Sequence, residues 1–230
     1  MSAPSIEAVL FDVDFTIAKP GPDLGPEGYQ RLGRRFGLEL DPSRYEEARR
    51  LALDELVRHP EFEHDEQIWV LFTERIIRGM GEAGDRAYEC AVEMTRAWEH
   101  AYNFDLYEDV LPTFQALREH GLRIALVSNT ARDLRQFVVH HGLHVDVALS
   151  SRVHGRVKPH ASIFQAVLER LAVEPSAAAM VGDTPEDDIE GARALGMRAL
   201  LLDRENRYPE HDGRLDDLRE LPAALGLQHE

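Results

Sequence analysis

Two aspartates one residue apart are the first side chains in this chain that could do chemistry. The stretch from Val9 to Thr16 reads Val-Leu-Phe-Asp-Val-Asp-Phe-Thr, with Asp12 and Asp14 directly after an apolar run. Side chains two positions apart on an extended chain point the same way, so both carboxylates can reach one site. Two unpaired carboxylates repel, and a divalent cation such as Mg²⁺ would resolve the conflict. The competing interpretation is that both are solvated turn residues or helix caps.

Further polar groups follow apolar runs later in the chain. Ser128 and Asn129 end one such run, where a hydroxyl and the N–H groups that open a helix could hold an anion, although both types are also favoured N-caps. Lys158 precedes a helix expected to start near His160. It is one of two lysines in a chain with 24 arginines, which suggests a compact ammonium held against a phosphate or carboxylate. The alternative is an ordinary surface lysine.

A run of acidic residues follows another predicted strand. Asp183, Glu186, Asp187 and Asp188 are four acids within six residues. Acids in a first helical turn are favoured by the helix dipole, so Glu186 and Asp187 need no function. Asp183 comes before that turn and could supply another carboxylate to a metal ion. Each of these signals lies at the end of a predicted strand.

The elements that must position these groups are predicted from hydrophobic periodicity. Glu7–Phe11 reads as a buried strand, the chain is helical in period from about residue 25 to 104, and strands then alternate with helices until a polar, weakly patterned tail. The pattern predicts an α/β fold, a Rossmann-like doubly wound parallel sheet core formed by 1–18 and 105–230, with an inserted α-helical bundle cap domain at 19–104. Ligands of such sheets bind beyond the carboxyl ends of the strands.

Composition limits the partners and the location. The 42 acidic and 26 basic residues give a formal charge of -16, which repels nucleic acid and anionic membrane surfaces. No apolar run is long enough to span a membrane and the N-terminal residues do not resemble a secretory signal, so we expect a cytoplasmic protein. The single cysteine, Cys90, excludes an internal disulfide and a cysteine zinc site.

The motifs together resemble those of the haloacid dehalogenase-like (HAD) hydrolase superfamily. The resemblance is to its phosphatase members that have a helical cap inserted after the first motif, and it covers nearly the whole chain. The matching motifs are, in order, Asp12-Val13-Asp14-Phe15-Thr16, Ser128-Asn129, Lys158-Pro159, and Gly182-Asp183 with Asp188. The resemblance implies a Mg²⁺-dependent phosphatase that hydrolyses a small phosphorylated metabolite through an aspartyl-phosphate intermediate.

The resemblance also implies a role for each acidic residue. Asp12 would be the nucleophile, and Asp14 would protonate the leaving alcohol and then activate water. Mg²⁺ would be held by Asp12, the backbone carbonyl of Asp14 and Asp183. Asp188 would complete the metal site through water or through hydrogen bonds to the ligands.

The remaining motif residues are assigned to the phosphate group. Ser128 and Lys158 would hold the transferring phosphoryl oxygens, Lys158 being also part of the catalytic set. Thr16 and Asn129 are assigned to the phosphate-binding set as well, Thr16 by ordering the loop and Asn129 by orienting its neighbours. Position 15 is most often glycine in this motif, and Phe15 departs from that pattern.

Three other functions share this fold. A 2-haloacid dehalogenase uses the same nucleophile but usually lacks the second aspartate, and a phosphonate hydrolase needs a cap lysine, for which Lys19 is the sole candidate. A non-catalytic binding protein would typically have lost a motif residue. Phosphoglycolate, sugar phosphates and nucleoside monophosphates stay open as substrates. The cap residues that could reach a substrate anion are Arg31, Arg34, Arg35, Arg49, Arg50, His59 and His64, and solvation at the surface is the competing interpretation.

Overall fold

The computed structural model divides the chain into two compact units. The residues that it describes are 5–56, 59–81 and 84–227. The first unit comprises Met1–Lys19 and Leu106–Glu230, and the second comprises Pro20–Asp105. Among the described residues, every helix is too short or too polar to cross a membrane.

The first unit contains a six-stranded parallel sheet. The described strands of the chain are β1 (Ala8–Phe11), β2 (Ala18–Pro20), β3 (Phe104–Leu106), β4 (Arg123–Ser128), β5 (Val147–Ser150), β6 (Ala178–Gly182), β7 (Arg198–Leu202) and β8 (Arg214–Leu215). The order in the large sheet is β5-β4-β1-β6-β7-β8, and the pairs are parallel. β2 and β3 form a separate two-stranded sheet.

Helices connect the parallel strands and fill the second unit. The described helices are α1 (Pro26–Arg35), α2 (Tyr45–Asp54), α3 (Glu66–Met80), α4 (Ala87–Ala97), α5 (Val110–Glu119), α6 (Leu134–His140), α7 (Ser151–His154), α8 (Ala161–Leu171), α9 (Gly191–Ala194) and α10 (Leu221–Ala224). Shorter helical turns cover Pro42–Arg44, Ala101–Asn103, Pro175–Ala177, Pro185–Glu190 and Leu218–Glu220.

The central strand β1 is covered on both faces because its four apolar residues alternate in direction. Leu10 belongs to a buried cluster with Phe164 of α8 on one face. On the other face the Phe11 ring lies 4.8 Å from that of Phe114 in α5. Burying side chains of this size contributes roughly 1.5–3 kcal/mol each. The predicted α/β fold with a parallel sheet between helices is confirmed.

The second unit is built from α1 to α4 around its own apolar core. Asp65 caps α3 by accepting a hydrogen bond of 2.8 Å from the backbone N–H of Gln67. α2 and α3 pack closely, since a Cβ at Gly79 would lie 2.6 Å from that of Ala48. Its buried residues include Ile76, Ile77 and other apolar side chains at helical spacing.

The C-terminal tail is more ordered than its sequence suggests. The residues after Asp203 are polar and weakly patterned, yet they form β8 at the sheet edge and α10 beyond it. Leu215, Leu218 and Leu221 are buried there. Three apolar side chains spread over seven positions hold the tail in place but are too few to give a recognisable helical or strand period.

Candidate active site

The site begins where three neighbouring strands end. β1 pairs with β4 on one side and with β6 on the other. Asp12 follows β1, Ser128 is the last residue of β4, and Asp183 follows β6. All three residues therefore leave the sheet at its carboxyl edge, and the backbone N–H of Asp12 donates to the carbonyl of Val181 at 2.9 Å.

Three of the predicted metal ligands form one buried group, which we call the aspartate cluster: Asp12, Asp183 and Asp188. Each offers a carboxylate oxygen, and these oxygens lie within 4.8 Å of one another. The ammonium of Lys158 is buried beside them and donates to Oδ1 of Asp12 at 2.5 Å and to Oδ1 of Asp188 at 2.6 Å. When all three carboxylates are ionised, these four residues carry two more negative charges than positive ones.

Burial shapes the titration of every member of the aspartate cluster. Burial raises the pKa of Asp12 to about 7, against the Lys158 charge, and the neighbouring carboxylates add to the rise. Burial also raises the pKa of Asp183 and of Asp188 to about 6. The pKa of Lys158 is raised because the attraction of Asp12 and Asp188 outweighs its own burial. Lys158 therefore stays charged while the carboxylates compete for it.

This donor set fits a divalent cation. The cluster offers carboxylate oxygens alone, which are the ligands that Mg²⁺ prefers, and its ionised carboxylates outnumber the two positive side chains that contact them, Lys158 and Arg207. The carboxylate of Asp14 lies outside the group that the described residues form. The assignment of Asp14 to the metal site concerns its backbone carbonyl and stays a prediction.

Lys158 is fixed through its backbone by Asn129. The Asn129 amide donates to the carbonyl of Lys158 at 3.0 Å and accepts from its backbone N–H at 2.6 Å. The amide nitrogen and the amide oxygen of Asn129 thus both help to position Lys158. Ser128, which precedes Asn129 in the chain, is buried at the end of β4. Phosphate binding by Ser128 and Asn129 stays a prediction.

Asp188 is held by the turn Pro185–Glu190, which is wound as a π-helix. Its Oδ2 accepts from the backbone N–H of Thr184 at 3.1 Å, and its own N–H donates to the Thr184 carbonyl at 2.9 Å. Gly182 allows the close approach, since a Cβ there would lie 2.2 Å from Cγ of Asp188. A larger residue at position 182 would force the Asp188 carboxylate to move.

The loop after Asp12 orders the proposed nucleophile. The buried hydroxyl of Thr16 donates to Oδ2 of Asp12 at 3.3 Å, so Thr16 contacts the carboxylate rather than open space. Phe15 has a φ of 66°, in the left-handed region that favours glycine. This conformation explains why glycine is usual at position 15, and Phe15 adopts it with strain.

Asp14 is paired with an arginine that the sequence analysis missed. Nη1 of Arg132 donates to Oδ1 of Asp14 at 2.8 Å, and Nη2 lies 3.4 Å from Oδ2. The guanidinium is buried, with 1% of the side chain exposed, and Asp14 keeps 22% exposed. Arginine is too common in this chain, with 24 copies, for its residue type to single out Arg132. The sequence signal that could have found it is its position shortly after the Ser128-Asn129 motif.

Two arginines of the C-terminal tail also reach the site. Arg207 donates to Oδ2 of Asp183 at 3.1 Å. Arg204 donates to both carboxylate oxygens of Asp109, at 2.8 and 2.9 Å, and to the backbone carbonyl of Thr16 at 2.9 Å. The tail therefore braces the loop that carries the first motif, a role that its weak pattern did not suggest.

Some predicted selector residues of the second unit are engaged in surface ion pairs. Arg31 pairs with Asp23, and Arg50 pairs with Glu47 and Asp54. Such exposed pairs are screened by solvent and contribute little. A substrate anion could displace them at small cost, so the role of the arginines and histidines of this unit stays a prediction.

Comparisons with known proteins point to one family. A family model described as haloacid dehalogenase-like hydrolase matches residues 6–196. The chain is 36% identical over 164 residues to a phosphoserine phosphatase of Thermus thermophilus, covering 68% of this chain and 66%, or about two thirds, of that protein. It is 32% identical over 221 residues to a glyceraldehyde 3-phosphate phosphatase of Methanopyrus kandleri, covering 92% and 90%.

Solved structures give the same result for the fold. A HAD phosphatase from Thermococcus onnurineus has a TM-score of 0.67 and 30% identity, covering 98% of this chain and all of that one. A 2-haloacid dehalogenase from Pseudomonas syringae has a TM-score of 0.64 and 27% identity, covering 96% and 98%. Phosphatases and dehalogenases thus share the fold, and the side chains of the site must distinguish them.

Proposed function

Because the chain belongs to the haloacid dehalogenase-like hydrolase family, we propose that it is a Mg²⁺-dependent phosphatase of small phosphomonoesters. The observation that carries the proposal is the aspartate cluster around Lys158, which offers a cation site next to a carboxylate nucleophile. Halide leaves a carbon atom without protonation, so a dehalogenase would have no use for a general acid at position 14. The phosphatase names of two relatives support the same choice.

In the first half of the reaction, Asp12 would attack phosphorus. An oxygen of its carboxylate forms the new P–O bond, the bond to the leaving oxygen breaks, and the electron pair goes to that oxygen. Asp14 donates the proton that the leaving alcohol takes up. Lys158, which contacts Asp12, would hold a phosphoryl oxygen beside it.

In the second half, water would attack the phosphorus of the aspartyl-phosphate. Asp14, now a carboxylate, takes the proton from that water, and the P–O bond to Asp12 breaks with its electron pair returning to Asp12. The products are an alcohol and inorganic phosphate. A Mg²⁺ ion held by Asp12, Asp183 and the carbonyl of Asp14 would neutralise phosphoryl charge.

The helical second unit would act as a cap that selects the substrate. Its basic side chains are balanced at the surface by weak pairs, such as Arg50 with Glu47, that an anionic substrate could replace. A panel of phosphoserine, glyceraldehyde 3-phosphate, phosphoglycolate, sugar phosphates and nucleoside monophosphates would identify the class. We expect a small ester to be preferred, and equal turnover of every ester would contradict selection by the cap.

The phosphatase assignment is tested with p-nitrophenyl phosphate and Mg²⁺. We expect hydrolysis that EDTA abolishes and Mg²⁺ restores, and a loss of at least about 10³-fold in Asp12→Asn, since a covalent route needs its nucleophile. Arg78→Gln, at an exposed helix pair with Glu74, is the matched surface control. Full activity in EDTA, or halide release from 2-haloacids by the untreated enzyme, would contradict the proposal.

A further inference from the structure

We propose that Arg132 is the positioning residue of the Asp14 acid–base. This inference rests on the proposed function and adds a residue to it. Arg132 anchors one oxygen of Asp14 at 2.8 Å and leaves the other loosely held at 3.4 Å, with part of the carboxylate open to solvent. One oxygen is thereby fixed, and the other is available to give and take a proton.

Two contacts help to hold Arg132 itself. Its backbone N–H donates to the hydroxyl of Thr130 at 3.1 Å. Its guanidinium carbon lies 5.5 Å from the centroid of the buried Phe137 ring in α6. Asp133, the next residue, caps α6 by accepting from the N–H of Arg135 at 2.9 Å. A guanidinium that is buried and fixed in this way can set the direction of a carboxylate.

Asp14 needs such a partner because of its neighbours. Asp12 lies two residues away and belongs to a cluster of three buried carboxylates that share the charge of Lys158. Without Arg132, the Asp14 carboxylate would be repelled by that cluster or would compete for its ammonium. Arg132 provides a separate positive charge, which keeps Asp14 out of the aspartate cluster and facing the leaving group.

The dependence of the reaction rate on the leaving group distinguishes the proposed role of Arg132 from a structural one. An alkyl phosphate needs its leaving oxygen protonated, whereas 2,4-dinitrophenyl phosphate releases a stable anion without help. If Arg132 acts through Asp14, Arg132→Met loses about 100-fold or more in kcat on the alkyl ester, the usual worth of a general acid. The first turnover of the dinitrophenyl ester, followed as a burst in rapid mixing, stays within about threefold of wild type.

A mutant cycle separates positioning from a structural role. The double variant Asp14→Asn with Arg132→Met is expected to match Asp14→Asn within about twofold, because Arg132 has nothing left to position. Arg132→Lys keeps the charge without the two-pronged donor and is expected to recover part of the alkyl-ester activity. Arg135→Met, an exposed arginine paired with Asp133, is the matched control and keeps wild-type values.

Each other outcome has a distinct meaning. Equal loss on both esters, or additive losses in the double variant, would overturn the role of Arg132 while leaving the phosphatase assignment intact. A raised KM with unchanged kcat would instead assign Arg132 to substrate binding. If Arg132→Met fails to fold, Arg132→Gln and Arg132→Lys are compared on the two esters by the same criteria. Wild-type inactivity on every phosphate ester would overturn the proposed function itself.

Discussion

The chemistry proposed for Asp12 depends on what surrounds a single carboxylate. Burial raises its pKa to about 7, which favours the protonated form, while an attacking group must be ionised. Lys158 at 2.5 Å and the hydroxyl of Thr16 at 3.3 Å stabilise the ionised form, and a bound cation would do so further. The same buried setting that makes an aspartate reactive therefore makes it dependent on positive charge.

Phe15 offers a test of backbone strain at the residue scale. Its φ of 66° costs a non-glycine residue about 1–2 kcal/mol. At ordinary positions a variant with alanine is more stable than one with glycine. Here we expect the opposite order: the free energy of unfolding of Phe15→Gly, measured by denaturant titration, should exceed that of Phe15→Ala by about 1 kcal/mol. Ala116→Gly in α5 is the control and should destabilise by a similar amount. A higher free energy of unfolding for Phe15→Ala than for Phe15→Gly would show that the backbone at position 15 is not strained.

At the scale of elements, the strand ends explain how distant residues meet. A parallel sheet brings the carboxyl ends of β1, β4 and β6 to one edge, so polar residues far apart in sequence become neighbours. Continuous apolar runs separated by helical segments were enough to predict these strands and hence the edge. The close packing of individual side chains at that edge was not predictable, because it depends on turns such as Pro185–Glu190 whose geometry has no simple sequence period.

A single added methyl group can test whether the close contact between Gly182, at the end of β6, and Asp188 is needed for activity. Gly182→Ala places a Cβ at 2.2 Å from Cγ of Asp188, which must move and release Lys158. We expect a loss of activity of about 10²-fold, as for other misplaced catalytic groups, with folding retained. The control is Gly25→Ala, where the nearest atom to a new Cβ is 3.9 Å away. Wild-type activity in Gly182→Ala would show that Asp188 does not need this contact.

The whole molecule adds what local patterns could not reveal. Arg204, in the tail, joins Asp109 at the start of α5 to the Thr16 carbonyl, and Leu218 donates its N–H to the same aspartate at 2.9 Å. Each contact links segments roughly a hundred or more positions apart, so no sequence window contains both partners. Arg132 escaped notice for the same reason. Motif order predicted the acids as site residues, while their arginine partners became visible only in three dimensions.

Stability should depend jointly on pH and metal. A carboxyl whose pKa is raised on folding contributes stability that is present below its unfolded pKa and lost as pH rises through the folded value, here about 6 to 7. The metal-free protein thus loses this contribution towards pH 8, where a bound cation offsets it. We expect Mg²⁺ at about a hundredfold its Kd to add about 2.7 kcal/mol at pH 8, or roughly 5–10 °C in Tm, and much less at pH 5.

Differential scanning fluorimetry with and without Mg²⁺ at the two pH values measures this effect. Asp183→Asn removes one cluster carboxylate and is expected to lose most of the Mg²⁺-dependent shift while keeping the effect of a non-specific salt such as NaCl. If Mg²⁺ raises the Tm equally at pH 5 and pH 8, or raises it as much in Asp183→Asn as in wild type, the aspartate cluster is not the cation site.

The most direct test of the account is to find where phosphate is covalently attached during turnover. Asp14→Asn lacks the base for the second half-reaction, so an activated ester such as 2,4-dinitrophenyl phosphate should load the enzyme and leave it phosphorylated. Acid quench followed by peptide mass spectrometry is predicted to locate the phosphoryl group on Asp12. Attachment to any other residue, or product formation with no phosphorylated peptide at any time, would contradict the account.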